Sequence, residues 1–254
     1  MRAIVFTIFF CFMTNTAIAI PIIKVGGYLF PPFVNTSSGE ISGLTLELIK
    51  LLNSQQTDYF FEFVLTSPKR RYLDFESFKI DALFFESKQW GWMNYPIDAS
   101  KAFLAGGEVY ITKSGPNKNQ GYFDRLKSKT MAAILGYHYQ FADFNSDEKF
   151  IKSHYKITLL SNPSAILNQV LSERVQIGIV SQSYLQKEMM NNPQYKQQLL
   201  VSDKLDQVYS HTLLIRNSGL LSVEKMNAII KKIKSNGTLD TLLLQYGLTP
   251  TASN

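Results

Sequence analysis

Short apolar runs alternate with amphipathic stretches in the first third of the chain. The run Ile22-Ile23-Lys24-Val25 ends at two glycines and predicts a short strand. Leu44, Leu48, Leu51 and Leu52 recur at the spacing of one helix face. The pattern continues with a strand over 59–65, a helix over 71–78 and a buried strand over 80–85. The order β-α-β-α-β predicts an α/β domain with a largely parallel sheet.

A second unit repeats this pattern farther along the chain. Its predicted elements are strands over 130–135, 157–160 and 175–180, and helices over 163–171 and 184–190. Between the two units lie residues 109–112 and then residues 113–121, which are rich in Gly, Asn and Lys and predict a linker. The chain then returns through residues 211–216. It ends in helices over 223–234 and 239–246, which Asn236-Gly237 separates.

The N-terminal segment has the pattern of a secretory signal peptide. Arg2 is positive, residues 3–13 are uncharged and apolar, and Ala17-Ile18-Ala19 matches a cleavage site. We therefore expect cleavage after Ala19, which would leave residues 20–254 in the periplasm. The apolar run is about half of the roughly 20 residues that a membrane span needs, and an uncleaved anchor is the alternative. The single cysteine, Cys11, lies in this segment without the small residues that precede a lipoprotein cysteine.

Charge and residue types narrow the possible partners. The formal net charge is +6, and the densest basic points are Lys69-Arg70-Arg71 and Lys231-Lys232. Because no long basic run is interleaved with aromatic residues, the sequence does not favour nucleic acid as a partner. Three histidines and no cysteine beyond the leader argue against a metal site. We expect no metal and no cofactor.

Five motifs occur in a fixed order along the chain. They are an aromatic-Pro-Pro-Phe loop at 30–33, Gly39-Glu40-Ile41-Ser42-Gly43-Leu44, Ile80-Asp81-Ala82, Glu173-Arg174-Val175-Gln176, and Asn236-Gly237-Thr238-Leu239 followed by Tyr246-Gly247-Leu248. With the strand that precedes the first loop, they span residues 22–248 and resemble the bacterial extracellular solute-binding proteins of family 3, the amino-acid-binding type. Glu173 and Gln176 depart from the family, which carries Gly and Asp there.

The resemblance implies an α/β fold of the two-lobe, type II periplasmic-binding-protein class with two crossing hinge segments. Lobe 1 would comprise residues 20–112 and 206–254, and lobe 2 residues 113–205. The hinge segments would lie near Tyr110 and Leu213. Ligands of open α/β sheets bind beyond the carboxyl ends of strands, often between lobes, and hinge closure would bury them. The family's usual form is a monomer, which we expect here.

Candidate ligand contacts in lobe 1 follow its predicted strands. Tyr28 and Phe30 can stack on a planar or cationic group, worth about 0.5–2 kcal/mol, unless they pack within their loop. Arg70 stands where many relatives carry a cleft arginine, and it could pair with a carboxylate or phosphate or remain on the surface. Trp90 and Trp92, the only tryptophans, flank one glycine and are predicted to line the cleft.

The remaining candidates follow the third strand or belong to lobe 2. Tyr137 and His138 stand where relatives begin a helix whose N–H groups bind an anion. His138 is predicted to add a donor that titrates near neutral pH, with a packing or capping role as the alternative. Glu86 follows the third strand of lobe 1, and Ser181 and Tyr184 follow the last strand of lobe 2.

Two positions depart from the relatives that bind amino acids. Aligned without gaps from residue 80 to 111, the arginine that holds the α-carboxylate falls on Met93. The aspartate that holds the α-ammonium falls on Ser181. Hydrogen bonds to charged groups contribute about 1.5–3 kcal/mol each, so losing both would weaken binding by roughly 10²- to 10⁴-fold. We predict that ordinary α-amino acids are poor ligands unless Arg70 substitutes.

Three functions stay open at this point. The first is a binding protein that takes an aromatic or otherwise planar small molecule, with or without an acidic group, to an ABC permease or a membrane sensor. The second is a dehydratase- or lyase-like enzyme on the same fold, with Glu86 and His138 as acid–base candidates. The third is a ligand-free module that acts through protein contacts. We predict the first, without catalysis.

Overall fold

A computed structural model describes residues 19–37 and 39–250. Nine strands form one sheet in the order β4-β1-β5-β11-β7-β10-β8-β9, with β6 also paired to β11, and β2 and β3 form a separate hairpin. The strands are β1 (Ile22–Gly27), β2 (Asn35–Ser37), β3 (Glu40–Ser42), β4 (Phe60–Leu65), β5 (Ala82–Glu86), β6 (Ile97–Ala99), β7 (Leu104–Lys113), β8 (Met131–Ile134), β9 (Ile157–Leu160), β10 (Ile177–Ser181) and β11 (Leu199–Arg216). The predicted signal peptide lies outside the described residues except for Ala19.

Helices flank the sheet. They are α1 (Leu44–Gln55), α2 (Arg71–Glu76), α3 (Glu148–His154), α4 (Pro163–Leu171), α5 (Gln182–Asn191), α6 (Tyr195–Gln198), α7 (Val223–Ser235) and α8 (Thr238–Gln245). Within the described ranges, none of them combines the length and the apolar character that crossing a membrane requires.

Lobe 1 is built on the parallel strands β4, β1 and β5, with Val25 of β1 beside Ala82 of β5. Helix α1 begins directly after Gly43, whose φ is 125°. A Cβ at this position would lie 2.5 Å from the carbonyl oxygen of Phe33, so the turn requires glycine. The first N–H groups of α1 donate to the carbonyls of Pro32 and Phe33. They therefore fix the loop that carries Tyr28 and Phe30.

Lobe 2 is built on β8, which pairs in parallel with β9 and β10. Side-chain caps begin three of its helices, and Asp147 caps α3. The amide oxygen of Asn162 accepts from the N–H of Ala165 at 2.8 Å, and Pro163 occupies the first position of α4. The hydroxyl of Ser181 accepts from the N–H of Tyr184 and begins α5. The sequence pattern predicts α4 over the same residues and α5 from residue 184, two residues after its observed start.

Strands β7 and β11 join the lobes as an antiparallel pair. Lys113 lies opposite Leu199 at the lobe 2 end, and Leu104 lies opposite His211 at the lobe 1 end. In lobe 2, β7 pairs with β10, and in lobe 1, β11 pairs with β5. These strands are the two crossing segments predicted near Tyr110 and Leu213.

Buried apolar side chains form separate clusters in the two lobes. The largest draws on residues 23–104 and 209–248, and two smaller clusters draw on residues 109–199 and 110–179. The cores therefore divide near the crossing strands. The exact bounds of the lobes, 20–112 with 206–254 and 113–205, stay a prediction.

Candidate functional site

A cavity lies between the lobes, beside the crossing strands. Residues from both lobes line it: Tyr28, Phe30, Arg71, Trp90, Glu108, Tyr137, His138 and Gln207. The volume of this cavity is about 10 Å³, which is room for about one water molecule. In this structure the lobes are closed, and the protein's own side chains fill most of the cleft.

A buried ion pair adjoins this cavity. Nε of Arg71 lies 3.3 Å from Oε1 of Glu86, and their side chains are 1 % and 0 % exposed. The contact is not aligned as a hydrogen bond, so charge attraction holds it. The Arg71 guanidinium instead donates to the carbonyl of Pro68 at 2.5 Å and to the hydroxyl of Tyr72 at 2.8 Å. The indole N–H of Trp92 donates to Oε2 of Glu86 at 3.2 Å.

The ion pair keeps Arg71 charged. Burial by itself lowers the pKa of Arg71, but the Glu86 carboxylate holds this pKa above its ordinary value. The guanidinium carbon lies 4.8 Å from the ring centre of Tyr28 and 4.6 Å from that of Tyr72. A desolvated cation–π contact contributes about 2 kcal/mol. The cation is thus held between two rings, beside a carboxylate.

Lobe 2 closes onto this arrangement through Tyr137 and His138. The hydroxyl of Tyr137 donates to the carbonyl of Leu29 at 3.1 Å, and its ring meets the ring of Phe30 edge-on at 5.6 Å. The side-chain amide of Gln207 donates to the carbonyl of His138 at 2.5 Å. Its oxygen accepts from the indole N–H of Trp90 at 3.2 Å. These contacts tie both lobes to crossing strand β11.

The anion seat predicted near Tyr137 and His138 lies a few residues later and is occupied by the protein itself. The chain forms a short turn of 3₁₀ helix at 140–142 rather than an α-helix. The N–H groups of Gln140 and Phe141 donate to the Asp206 carboxylate at 2.8 and 2.9 Å. Tyr110 adds a third hydrogen bond at 2.6 Å. A backbone seat for an anion therefore exists, and a buried side chain of β11 fills it.

Two groups on the cavity wall have polar atoms without partners, Oε2 of Glu108 and Nδ1 of His138. Burial, reinforced by nearby Asp206, raises the pKa of Glu108 to about 8, so this carboxyl is largely protonated at pH 7. Burial, reinforced by Arg71, lowers the pKa of His138 to about 3. The prediction that His138 titrates near neutral pH is therefore wrong, because its buried ring is neutral there. In the part of the chain that the structure describes, no three His, Cys, Asp or Glu side chains are grouped as metal ligands.

The raised pKa of Glu108 predicts a pH-dependent stability. The unfolded chain loses this proton near pH 4.5 and the folded chain near pH 8, so the free energy of unfolding falls by about 1.4 kcal/mol per pH unit between these values. Glu108→Gln removes this contribution. We expect the variant to gain stability over wild type steadily from pH 5 to 8 in urea unfolding, while the exposed Glu173→Gln shows no such gain. Parallel stability curves for Glu108→Gln and wild type would contradict this assignment.

Seven of the ten sequence-predicted residues come together at the cleft. Tyr28, Phe30, Trp90, Tyr137 and His138 line the cavity. Glu86 and Trp92 adjoin it through Arg71 and are fully buried.

Three predicted residues lie elsewhere. Arg70 is 62 % exposed and pairs with Asp74 at 3.1 Å, so the arginine in the cleft is its neighbour Arg71. Ser181 caps α5 and does not line the cavity. Tyr184 lines a separate outer cavity of about 500 Å³, which the loop after β1 forms with α4 and α5.

Sequence reasoning missed three residues of the cleft: Arg71, Glu108 and Gln207. Glu108 had a visible signal, because it is the only charged residue in the run Gly106-Gly107-Glu108-Val109-Tyr110-Ile111. A lone acid in an apolar strand must be buried with partners or perturbed in pKa. Gln207 carried no comparable signal.

Comparison with known proteins places the fold. A scan against protein-family profiles and a search of curated protein sequences give no match. Among solved structures, the protein Tv2483 bound to L-arginine matches with a TM-score of 0.72 and 14 % identity, over 90 % of this chain and 91 % of that one. The substrate-binding protein of an amino acid ABC transporter matches with a TM-score of 0.65 and 17 % identity, over 89 % and 98 %.

A third match is the ancestral amino-acid-binding protein AncCDT-1, a precursor of cyclohexadienyl dehydratase. Its TM-score is 0.67 at 19 % identity, over 89 % of this chain and 95 % of that one. The chain thus has the two-lobe fold of periplasmic amino-acid-binding proteins, which confirms the fold predicted from the sequence motifs. At these identities the likeness concerns the fold.

Proposed function

We propose that this protein is a periplasmic solute-binding protein that takes up a small molecule between its lobes, for an ABC permease or a membrane sensor. The observation that carries this proposal is the cavity at the lobe junction, where Glu108 and His138 present polar atoms without partners. Buried polar atoms are normally hydrogen-bonded, so a polar group of a solute that enters here can pair with them. We propose a monomer that binds no nucleic acid.

The charged positions of the cleft are already occupied, which favours a planar ligand that is neutral. Tv2483 is described as bound to L-arginine. In this chain the buried Arg71 already occupies the cleft, and a second cation beside it would be repelled. The backbone seat for an anion is filled by Asp206. The α-ammonium group of an ordinary amino acid would therefore meet the Arg71 cation, and its α-carboxylate would find the anion seat occupied. The rings of Trp90 and Tyr137, in contrast, can stack on a planar group.

Because the closed cavity holds about one water, a solute must part the lobes or displace side chains to enter. The same small volume favours a second candidate, a ligand-free module that acts through protein contacts. An enzymatic role has less support. AncCDT-1 is itself an amino-acid-binding protein, and the acid–base candidate Glu86 is committed to Arg71 and Trp92.

A thermal-shift screen of residues 20–254 tests the proposal. The panel contains the common amino acids, aromatic acids, small peptides and purines. A ligand that binds only the folded state stabilises it by about 2.7 kcal/mol at a hundredfold excess over Kd. We expect a shift with an aromatic compound and none with arginine or lysine. A clear shift with an ordinary α-amino acid would contradict the proposed ligand class, and no shift with any compound would favour the ligand-free module.

A further inference from the structure

We infer that Arg71 is a built-in ligand, whose guanidinium fills the lobe 1 side of the cleft so that lobe 2 closes over it without a solute. The inference rests on the proposed function, since it explains what a solute must overcome to bind. It also assigns a cryptic guanidinium site, formed by Glu86 and the rings of Tyr28 and Tyr72, which opens when the Arg71 side chain is removed.

The first step is the way in which Arg71 is held. Its guanidinium meets a carboxylate at 3.3 Å, two carbonyls and one hydroxyl at 2.5 to 3.3 Å, and two flanking rings. A free guanidinium compound would require the same partners. The side chain comes from the start of α2 and is 1 % exposed, so it cannot swing into solvent without opening the site.

The second step is that lobe 2 seats on the filled site. The ring of Tyr137 lies edge-on to that of Tyr28 at 6.2 Å, and Tyr28 in turn stacks on Arg71. At the rim, Nζ of Lys69 lies 3.4 Å from Oε2 of Glu148 across the two lobes. The space left over holds about one water. Closure is therefore complete with Arg71 in place of a solute.

The third step is that a buried carboxylate in the anion seat of lobe 2 plays the same part as Arg71 in lobe 1. The Asp206 carboxylate fills the backbone anion seat of lobe 2, as Arg71 fills the cation position of lobe 1. Both groups are nearly inaccessible to solvent. A side chain of the protein thus fills each of these two positions, and neither needs an external ion.

Zero-length carbodiimide cross-linking detects closure of the two lobes directly, because it joins an amine to a carboxylate that is already in contact with it. The Lys69–Glu148 link forms only when the lobes are closed. Lys152 lies 2.7 Å from the same Glu148 within α3, so the Lys152–Glu148 link is an internal reference. The protein, residues 20–254, is unfolded and refolded first to remove bound molecules, and mass spectrometry gives the ratio of the two links.

We expect the solute-free wild type to form the Lys69–Glu148 link. In Arg71→Ala this link falls about tenfold relative to the reference, and guanidinium chloride at about 10 mM restores it by mass action, well below the molar concentrations that denature. Sodium chloride at the same concentration does not restore it. Arg70→Ala, which removes the exposed neighbour, behaves as wild type. If Arg71→Ala does not fold, Arg71→Lys keeps the charge without the fork and should lose the link in part.

The experiment on the wild-type protein tests the inference even if no variant folds. Absence of the Lys69–Glu148 link until a compound of the screening panel is added would overturn the inference while supporting solute binding. Full closure of folded Arg71→Ala without guanidinium would also overturn the inference, and it would leave the proposed function to the thermal-shift screen. A closed wild type that binds no compound of the panel would instead uphold the inference and remove the proposed function.

Discussion

Replacing Glu86 with alanine is expected to lower the free energy of unfolding by about 3–5 kcal/mol, because it leaves the Arg71 charge buried without its partner. The pair is almost fully excluded from solvent, so water cannot take the place of the carboxylate. Urea unfolding at pH 7 measures the loss. The control is Glu173→Ala, which breaks a surface pair with Lys113 and should cost about 0–1 kcal/mol. A similar small loss for both variants would show that Glu86 does not neutralise Arg71.

A double variant separates the value of the pair from the cost of breaking it. Replacing a buried ion pair by apolar side chains of similar volume is often neutral or stabilising by about 1–4 kcal/mol. Arg71→Met combined with Glu86→Leu should therefore recover most of the stability that Glu86→Ala loses. If the double variant is less stable than Glu86→Ala, the ion pair itself stabilises the fold. The packing of Tyr28 and Tyr72 around it would then contribute to this stabilisation.

Trp92→Ala is expected to cost about 3–5 kcal/mol, since a large side chain that is 0 % exposed leaves a cavity. The indole also donates to Glu86 and packs on Tyr72 and Phe75. The matched control is the next residue, Met93→Ala. Its side chain is 69 % exposed, and its replacement should change stability by no more than about 0.5 kcal/mol. Equal effects at the two positions would contradict the assignment of Trp92 as buried and Met93 as exposed.

Much of the fold could be predicted because local signals and the hydrophobic pattern agree. Helix α4 begins and ends at the predicted residues, and its start carries both an Asn cap and a first-turn proline. Strand β11 is the main difference. The prediction covered residues 211–216, whereas the strand spans Leu199–Arg216. Its first part contains Ser, Asp and Lys, and only pairing with β7 makes it a strand.

The cleft was predictable where contacts follow a strand and not where they depend on distant pairing. Tyr28, Trp90 and Tyr137 follow strands and meet as expected. Glu108 and Gln207 face the cavity because β7 and β11 cross between the lobes, and sequence does not reveal this register.

The choice between Arg70 and Arg71 depended on a single residue of helix phase. Helix α2 begins at Arg71, so this side chain turns inward while that of Arg70 stays in solvent. The motif located the arginine to within one position, but only the packing around α2 decides which of the two side chains is buried.

Isothermal titration of refolded residues 20–254 with the compound that gives the largest thermal shift tests most directly whether a solute binds between the lobes. Wild type is compared with Tyr137→Ala, which alters the cleft, and Lys187→Ala, which alters the larger outer cavity. We expect one molecule to bind per chain. Tyr137→Ala should weaken the affinity about tenfold or more, which corresponds to about 1.4 kcal/mol. Lys187→Ala should leave the affinity unchanged. Binding that Lys187→Ala weakens and Tyr137→Ala leaves intact would place the ligand in the outer cavity and contradict the account.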